Sequence, residues 1–136
     1  MRLLIDTNIF LEVILDQDRA SEASSFLKSA TRDHESFMSD FSLHSIGVFL
    51  VRRRQVKAFR DFLSDVIFGL GINVKRLDET DMSSVCDVAE RFRLDFDDAY
   101  QYVAAQRFDL TIVSYDSDFD RTDRGRTAPS QVPAGT

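Results

Sequence analysis

The stretch Arg2-Leu3-Leu4-Ile5-Asp6-Thr7-Asn8 decides the fold of this chain. A short continuous apolar run that ends in Asp-Thr-Asn has the pattern of a strand buried on both faces whose last residue opens a helix. A second such run, Leu110 to Val113, leads into Ser114-Tyr115-Asp116-Ser117-Asp118. Asp98 lies between the two, at the start of a helical pattern. Apolar runs that deliver carboxylates to their ends are how an α/β protein builds a pocket for a divalent metal.

Between these strands the spacing alternates. Ile9, Phe10, Val13 and Ile14 have helical periodicity, Asp18 to Ala30 predicts a second helix, and Ser36 to Ser39 a second strand. Phe41, Ile46, Val48 and Phe49 mark a third helix that ends near Arg52. From Gln55 to Leu70 a single apolar stripe including Val56, Phe59, Phe62, Val66 and Ile67 predicts the most regular helix, stopped by Gly69 and Gly71. Ile72 to Leu77 follows as a strand, Asp78 to Phe92 as a helix capped by Asp78 and Asp81, and Asp95 to Arg107 as another helix. The tail from about residue 121 is polar, with a short edge strand expected around Gln131 and Val132. Strands alternating with helices imply a parallel sheet covered on both faces. The fold class is therefore α/β: a single-domain three-layer sandwich over residues 1–136, with a central parallel sheet of four to five strands.

Composition fits one such domain. With 136 residues, 43% of them hydrophobic, the chain can bury about 68–70% of its unfolded surface. A net charge of −6 argues against binding nucleic acid through overall positive charge, though a local basic stripe can still guide a polyanion. Cys86, the only cysteine, is expected to pack inward as a small hydrophobe. No run has the length of a signal-peptide core or a membrane span, so a cytoplasmic location is expected.

Clustered carboxylates repel one another unless a cation lies between them. Oxygen donors without accompanying His or Cys suit Mg²⁺ or Mn²⁺ rather than zinc, and His34 and His44 lie outside the pattern. Such ions suit phosphodiester hydrolysis. Each acid also has an ordinary structural reading: Asp6 as a helix cap, Asp98 as a first-turn carboxylate, Asp116 and Asp118 as an Asx turn. Asn8 and Ser114, beside Asp6 and Asp116, can orient carboxylate or water. Arg121 and Arg124, with Arg126, follow the last acids and are candidates for holding a polyanion. Arg53, Lys57 and Arg60 share a helix face that serves equally as a solvated surface. Phe92, Phe96 and Tyr100 have the spacing of core residues, which leaves Tyr102 exposed and Tyr115 as the aromatic placed to stack on a base.

Taken together and in order, Met1 to Glu12, FDDAYQYVAA (Phe96–Ala105) and TIVSYDSDF (Thr111–Phe119) resemble the three signature regions of the PIN domain family. The resemblance runs from Arg2 to about Pro133. It implies a metal-dependent ribonuclease similar to VapC toxins of toxin–antitoxin pairs, with RNA as substrate, an antitoxin as partner and a homodimer as assembly. It places catalytic and metal-binding roles on Asp6, Asp98 and Asp116, with Asp118 as an additional metal ligand. The family's usual Glu in the helix after the second strand falls on Ser45, which has no carboxylate. Asp40 is rotated about 140° away on that helix, and Glu12 reads as solvent-facing. A second implication is thus a catalytically weakened PIN domain that binds RNA or protein. A receiver-type phosphoacceptor is disfavoured because no Lys follows Lys75, and a haloacid-dehalogenase-like phosphatase because Asn8 stands where its second Asp belongs.

Overall fold

The computed structural model describes residues 1–135. Strand β1 (Arg2–Ile5) runs into helix α1 (Thr7–Ile14), followed by α2 (Ala20–Asp33), β2 (Glu35–Ser39), α3 (Asp40–Arg52), α4 (Val56–Phe62), β3 (Asn73–Lys75), α5 (Met82–Phe92), α6 (Phe96–Phe108) and β4 (Thr111–Val113). The four strands form one parallel sheet in the order β3-β2-β1-β4. Successive crossovers step outward from β1 through β2 to β3, and the last returns to the other side of β1. Strand order therefore reverses at the β1/β4 pair, where Leu3, Leu4 and Ile5 lie in register with Thr111, Ile112 and Val113. Ligands of open α/β sheets bind at the carboxyl end of such a reversal.

The pleat of β1 divides the core into two. Leu3 and Ile5 face one layer with Met38, Val113, and the buried residues of α1, α2, α3 and α4, whereas Leu4 faces the other with Phe37, Ile112, and residues of α5 and α6. This alternation, with helices on both faces, is the three-layer architecture expected. Among the described residues no helix is long and apolar enough to cross a membrane.

Several elements differ from expectation for identifiable reasons. The helix after Gln55 is not one regular stripe: α4 passes into a π-helical turn, Leu63–Phe68, and its buried residues Phe62 and Ile67 are five apart. The wider turn rotates the stripe and leaves Phe68 exposed, and Val56 in the first turn of α4 is exposed as well. Gly69 keeps helical angles, and Gly71 at φ +76° makes the stop. In α3 the buried positions are Ser42, Ile46 and Leu50, so Val48 points outward. The tail has no strand at Gln131. Thr127 instead makes one parallel bridge to Val113, and Pro129, which lacks an N–H, opens a 3₁₀ turn through Gln131. Phe96, in the first helical position of α6, is half exposed, while Tyr102 is buried against Phe92.

Cys86 is exposed rather than packed inward. Val85 and Phe92 carry the buried seam of α5, and the next residue after Val85 turns about 100° off that seam. Cys86 is therefore expected to react with a thiol reagent in the native protein as fast as in denaturant. A reaction seen only on unfolding would contradict its placement.

Candidate metal centre

The fold brings the strand-end acids to one rim. Asp6 directly follows β1 and caps α1, its Oδ1 accepting from the Thr7 amide at 2.8 Å. Asp116 lies just beyond β4, caps the 3₁₀ turn Ser117–Arg121, and accepts the Asp118 amide at 2.8 Å. Asp98 sits in the first turn of α6, where Asp95 is the cap and accepts the Asp98 amide at 3.0 Å. Asp6 and Asp116 thus act as helix caps, and capping alone takes up only one oxygen of each carboxylate. Carboxylate oxygens of Asp98, Asp116 and Asp118 lie within 4.8 Å of one another.

Asp6 stands beside this trio rather than within it. Its Oδ1 also accepts from Gln101 Nε2 (2.9 Å) and its Oδ2 from Ser114 Oγ (2.6 Å). Burial pushes its carboxyl above the ordinary range, the hydrogen bonds from Gln101, Ser114 and Thr7 oppose that, and the Asp116 charge adds to the rise. Asp98 is pushed up to about 8, first by burial and then by the negative charge of Asp116. A site that holds carboxylates against their own repulsion, with oxygen donors only, fits a hard divalent cation such as Mg²⁺ or Mn²⁺.

The sequence pattern of the PIN domain family matches residues 3–125, a span that includes every acid of this site. The chain belongs to the PIN domain family. Its fold is similar to those of a toxin–antitoxin complex from Klebsiella pneumoniae (21% identity, TM-score 0.71, covering 96% of this chain and 99% of that one) and of VapC20 from Mycobacterium tuberculosis, described as a sarcin–ricin loop cleaving toxin (18%, 0.71, 93% and 99%). It is also similar to VapBC2 from Rickettsia felis bound to a DNA fragment from their promoter (12%, 0.73, 93% and 96%). At these identities the likeness is one of fold. No curated protein matches the chain in sequence at a comparable level.

In this PIN domain Ser114 is the hub between the two strand ends. Its hydroxyl donates to Asp6 and accepts from Asn8 Nδ2 (3.1 Å) and the Asp116 amide (2.9 Å). Asn8 and Ser114 therefore sit where the sequence placed them. The larger surprise is Gln101, which is 2% exposed and whose Nε2 bridges Asp6 Oδ1 and Ser42 Oγ (2.8 Å). Ser42 in turn bonds Thr7 Oγ1 at 2.7 Å. One signal for Gln101 was available: it lies three residues after Asp98, hence on the same side of α6.

The arginines divide. Arg121 reaches the rim but is engaged, donating to Asp118 (3.0 Å) and to the Phe92 and Arg93 carbonyls that end α5. Arg124 pairs with Asp109 and the Leu110 carbonyl, at the amino end of β4 and thus on the opposite rim from the acids. This corrects the sequence expectation that it holds substrate, because the loop after Asp120 folds back along β4. Arg126 is held by Asp120 and the Ser114 carbonyl. Tyr115 is not free to stack: Arg19 covers its ring at 4.4 Å and its hydroxyl donates to Glu22. Glu12 accepts the Arg19 amide, and Asp40 accepts the Tyr100 hydroxyl and the Phe41 amide, so both are committed elsewhere. Ser45 is half-buried, one turn beyond Ser42.

Proposed function

We propose that the chain is an endoribonuclease that hydrolyses RNA phosphodiester bonds with Mg²⁺ or Mn²⁺ held by Asp98, Asp116 and Asp118, with Asp6 completing the site. The observation that carries this reading is the three carboxylates gathered at the strand-order reversal of a PIN domain. A bound divalent ion supplies an activated water near neutral pH and neutralises the developing charge on the phosphate. The residues do the rest. Asp98, Asp116 and Asp118 present the negative charge that attracts the ion, and Arg121 and the Asp116 carboxylate fix Asp118 from both sides. Gln101 and Ser114 orient Asp6.

We further propose a toxin restrained by an antitoxin, a reading that the VapC and toxin–antitoxin neighbours support, acting as a homodimer in the cytoplasm. The test is cleavage of a mixed RNA pool with Mn²⁺ or with chelator. Wild type should cut only with the metal and Asp116→Asn should not cut. Equal products from both proteins would remove the reading.

Ser45 favours a second reading, a weakened PIN domain that binds RNA or a protein without efficient cleavage, since it contributes no fourth carboxylate. Ser45→Glu separates the two. Metal affinity rises with ligand charge, so the variant should lower the Mn²⁺ needed for half-maximal cleavage by roughly tenfold. Wild-type RNA binding without cleavage, with cleavage appearing only in Ser45→Glu, would select the weakened module.

A further inference from the structure

The nitrogen of the Gln101 amide is used twice, and its oxygen is not used at all. Gln101 Oε1 is buried with no hydrogen-bond partner, a state that among the described residues it shares only with the Ser36 hydroxyl in β2. Turning the amide round does not cure this. Its nitrogen faces Asp6 Oδ1 at 2.9 Å, and an ionised carboxylate only accepts. The second amide hydrogen goes to Ser42 Oγ on α3 at 2.8 Å. With both hydrogens directed, the amide plane is fixed. Oε1 stands about 2.2 Å from Nε2 and so within about 5 Å of Asp6 Oδ1.

A buried acceptor without a donor costs free energy, which native folds recover by pairing the atom with protein, water or ion. The nearby hydroxyls are committed: Ser42 also bonds Thr7 and Ser39, and Ser114 donates to Asp6. A buried water needs about two to four polar partners, and these groups leave it few. What surrounds the carbonyl is acidic. Asp6 contacts the same amide, and Asp98 lies one turn back on the same side of α6. The negative end of a carbonyl dipole beside carboxylates calls for a cation, and Gln carbonyls are ordinary neutral donors to hard divalent ions. The amide also reaches α3 at Ser42, one turn before Ser45, the position that supplies no carboxylate.

We propose that Gln101 is a further residue of the metal centre, its carbonyl oxygen a neutral donor to the divalent ion while its nitrogen holds Asp6 and Ser42. The inference rests on the metal-dependent reading above and adds to the three carboxylates an oxygen that brings no charge.

The wild-type protein, labelled with ¹³C and ¹⁵N, carries the test. The Gln101 side-chain carbonyl carbon should move downfield as Mg²⁺ is added, with the midpoint that calorimetry gives for Mg²⁺ binding, while the carbonyls of the other glutamines stay in place. In calorimetry with Mn²⁺, Gln101→Leu should bind about tenfold more weakly than wild type. Gln101→Glu, which keeps an oxygen and loses the N–H donors, should bind more tightly than Gln101→Leu. Thermal melting in chelator verifies that each variant folds. A Mg²⁺-dependent shift at Nε2 with none at the carbonyl carbon would overturn the proposal and leave Gln101 acting only through Asp6. Equal Mn²⁺ affinities for Gln101→Glu and Gln101→Leu would overturn it as well, and in both cases wild-type cleavage in Mn²⁺ keeps the nuclease reading. A wild type that binds neither ion would remove the proposal and the metal-dependent reading together.

Discussion

Asp98→Asn will be inactive and, without metal, more stable than the wild type at pH 8. Inactivity follows from removing one of the three clustered oxygen donors proposed to hold the metal. Metal-borne charge stabilisation is worth several kcal/mol, so the cleavage rate should fall on the order of 10³-fold. The stability gain has a separate cause. The Asp98 carboxyl is raised from 3.8 to about 8 by burial and by Asp116. Between those values the folded chain holds a proton that the unfolded chain has released, so stability falls as pH rises through that window. Below it both states are protonated and above it neither is. Asn carries no charge at any pH and escapes this loss. Melting of the metal-free proteins from pH 4 to pH 8 should show a declining wild type and a flatter variant, with Asp98→Asn ahead by roughly 5 °C at pH 8. Saturating Mn²⁺ should stabilise the wild type and leave the variant nearly unchanged. A variant less stable than wild type throughout would mean that Asp98 is held by favourable contacts rather than against repulsion.

Gln101→Leu will lose both stability and activity although Gln101 is not itself among the clustered acids. The amide is buried and donates to Asp6 and to Ser42, tying α6 to both β1 and α3. Leu fills similar space but donates nothing, so a buried carboxylate loses one of its three hydrogen-bond donors. Hydrogen bonds to charged groups contribute about 1.5–3 kcal/mol, and a destabilisation of about 2 kcal/mol is expected in chemical denaturation. Groups that orient a metal site typically matter about 10–100-fold, and the cleavage rate should fall by that amount. The pH profile distinguishes positioning from simple destabilisation. Burial already raises the Asp6 carboxyl, and removing a bond that lowers it raises it further. The acid limb of the rate profile should therefore move to higher pH. An unchanged profile with reduced rate would assign Gln101 a purely structural role.

The legible part of the site was the part built from charge at strand ends. Asp6, Asp98 and Asp116 announce themselves because a carboxylate interrupting or ending an apolar run is expensive unless something uses it. The short strands β1 and β4 were equally plain, since each is buried on both faces and reads as an unbroken apolar run. Gln101 was hidden for the opposite reason. Its helix is buried almost all round, from Asp98 to Ala105, so periodicity marks no face and a neutral amide carries no charge to attract notice. The same absence of a stripe exchanged Phe96 and Tyr102 between surface and core. Arg124 is close to Asp116 in sequence but not in space, because the chain reverses along β4 before reaching it. The π-helical turn in Leu63–Phe68 leaves no mark in an apolar pattern whose three-and-four spacing is satisfied on paper.

The central claim is that Asp98, Asp116 and Asp118, without a carboxylate at Ser45, hold a divalent ion beside Asp6. Anomalous diffraction from a crystal soaked in Mn²⁺ tests it most directly. One dominant anomalous peak is expected within coordination distance of Asp98, Asp116 and Asp118, on the side facing Asp6. No peak among these carboxylates at saturating Mn²⁺, or carboxylates turned apart with no shared ion, would contradict it.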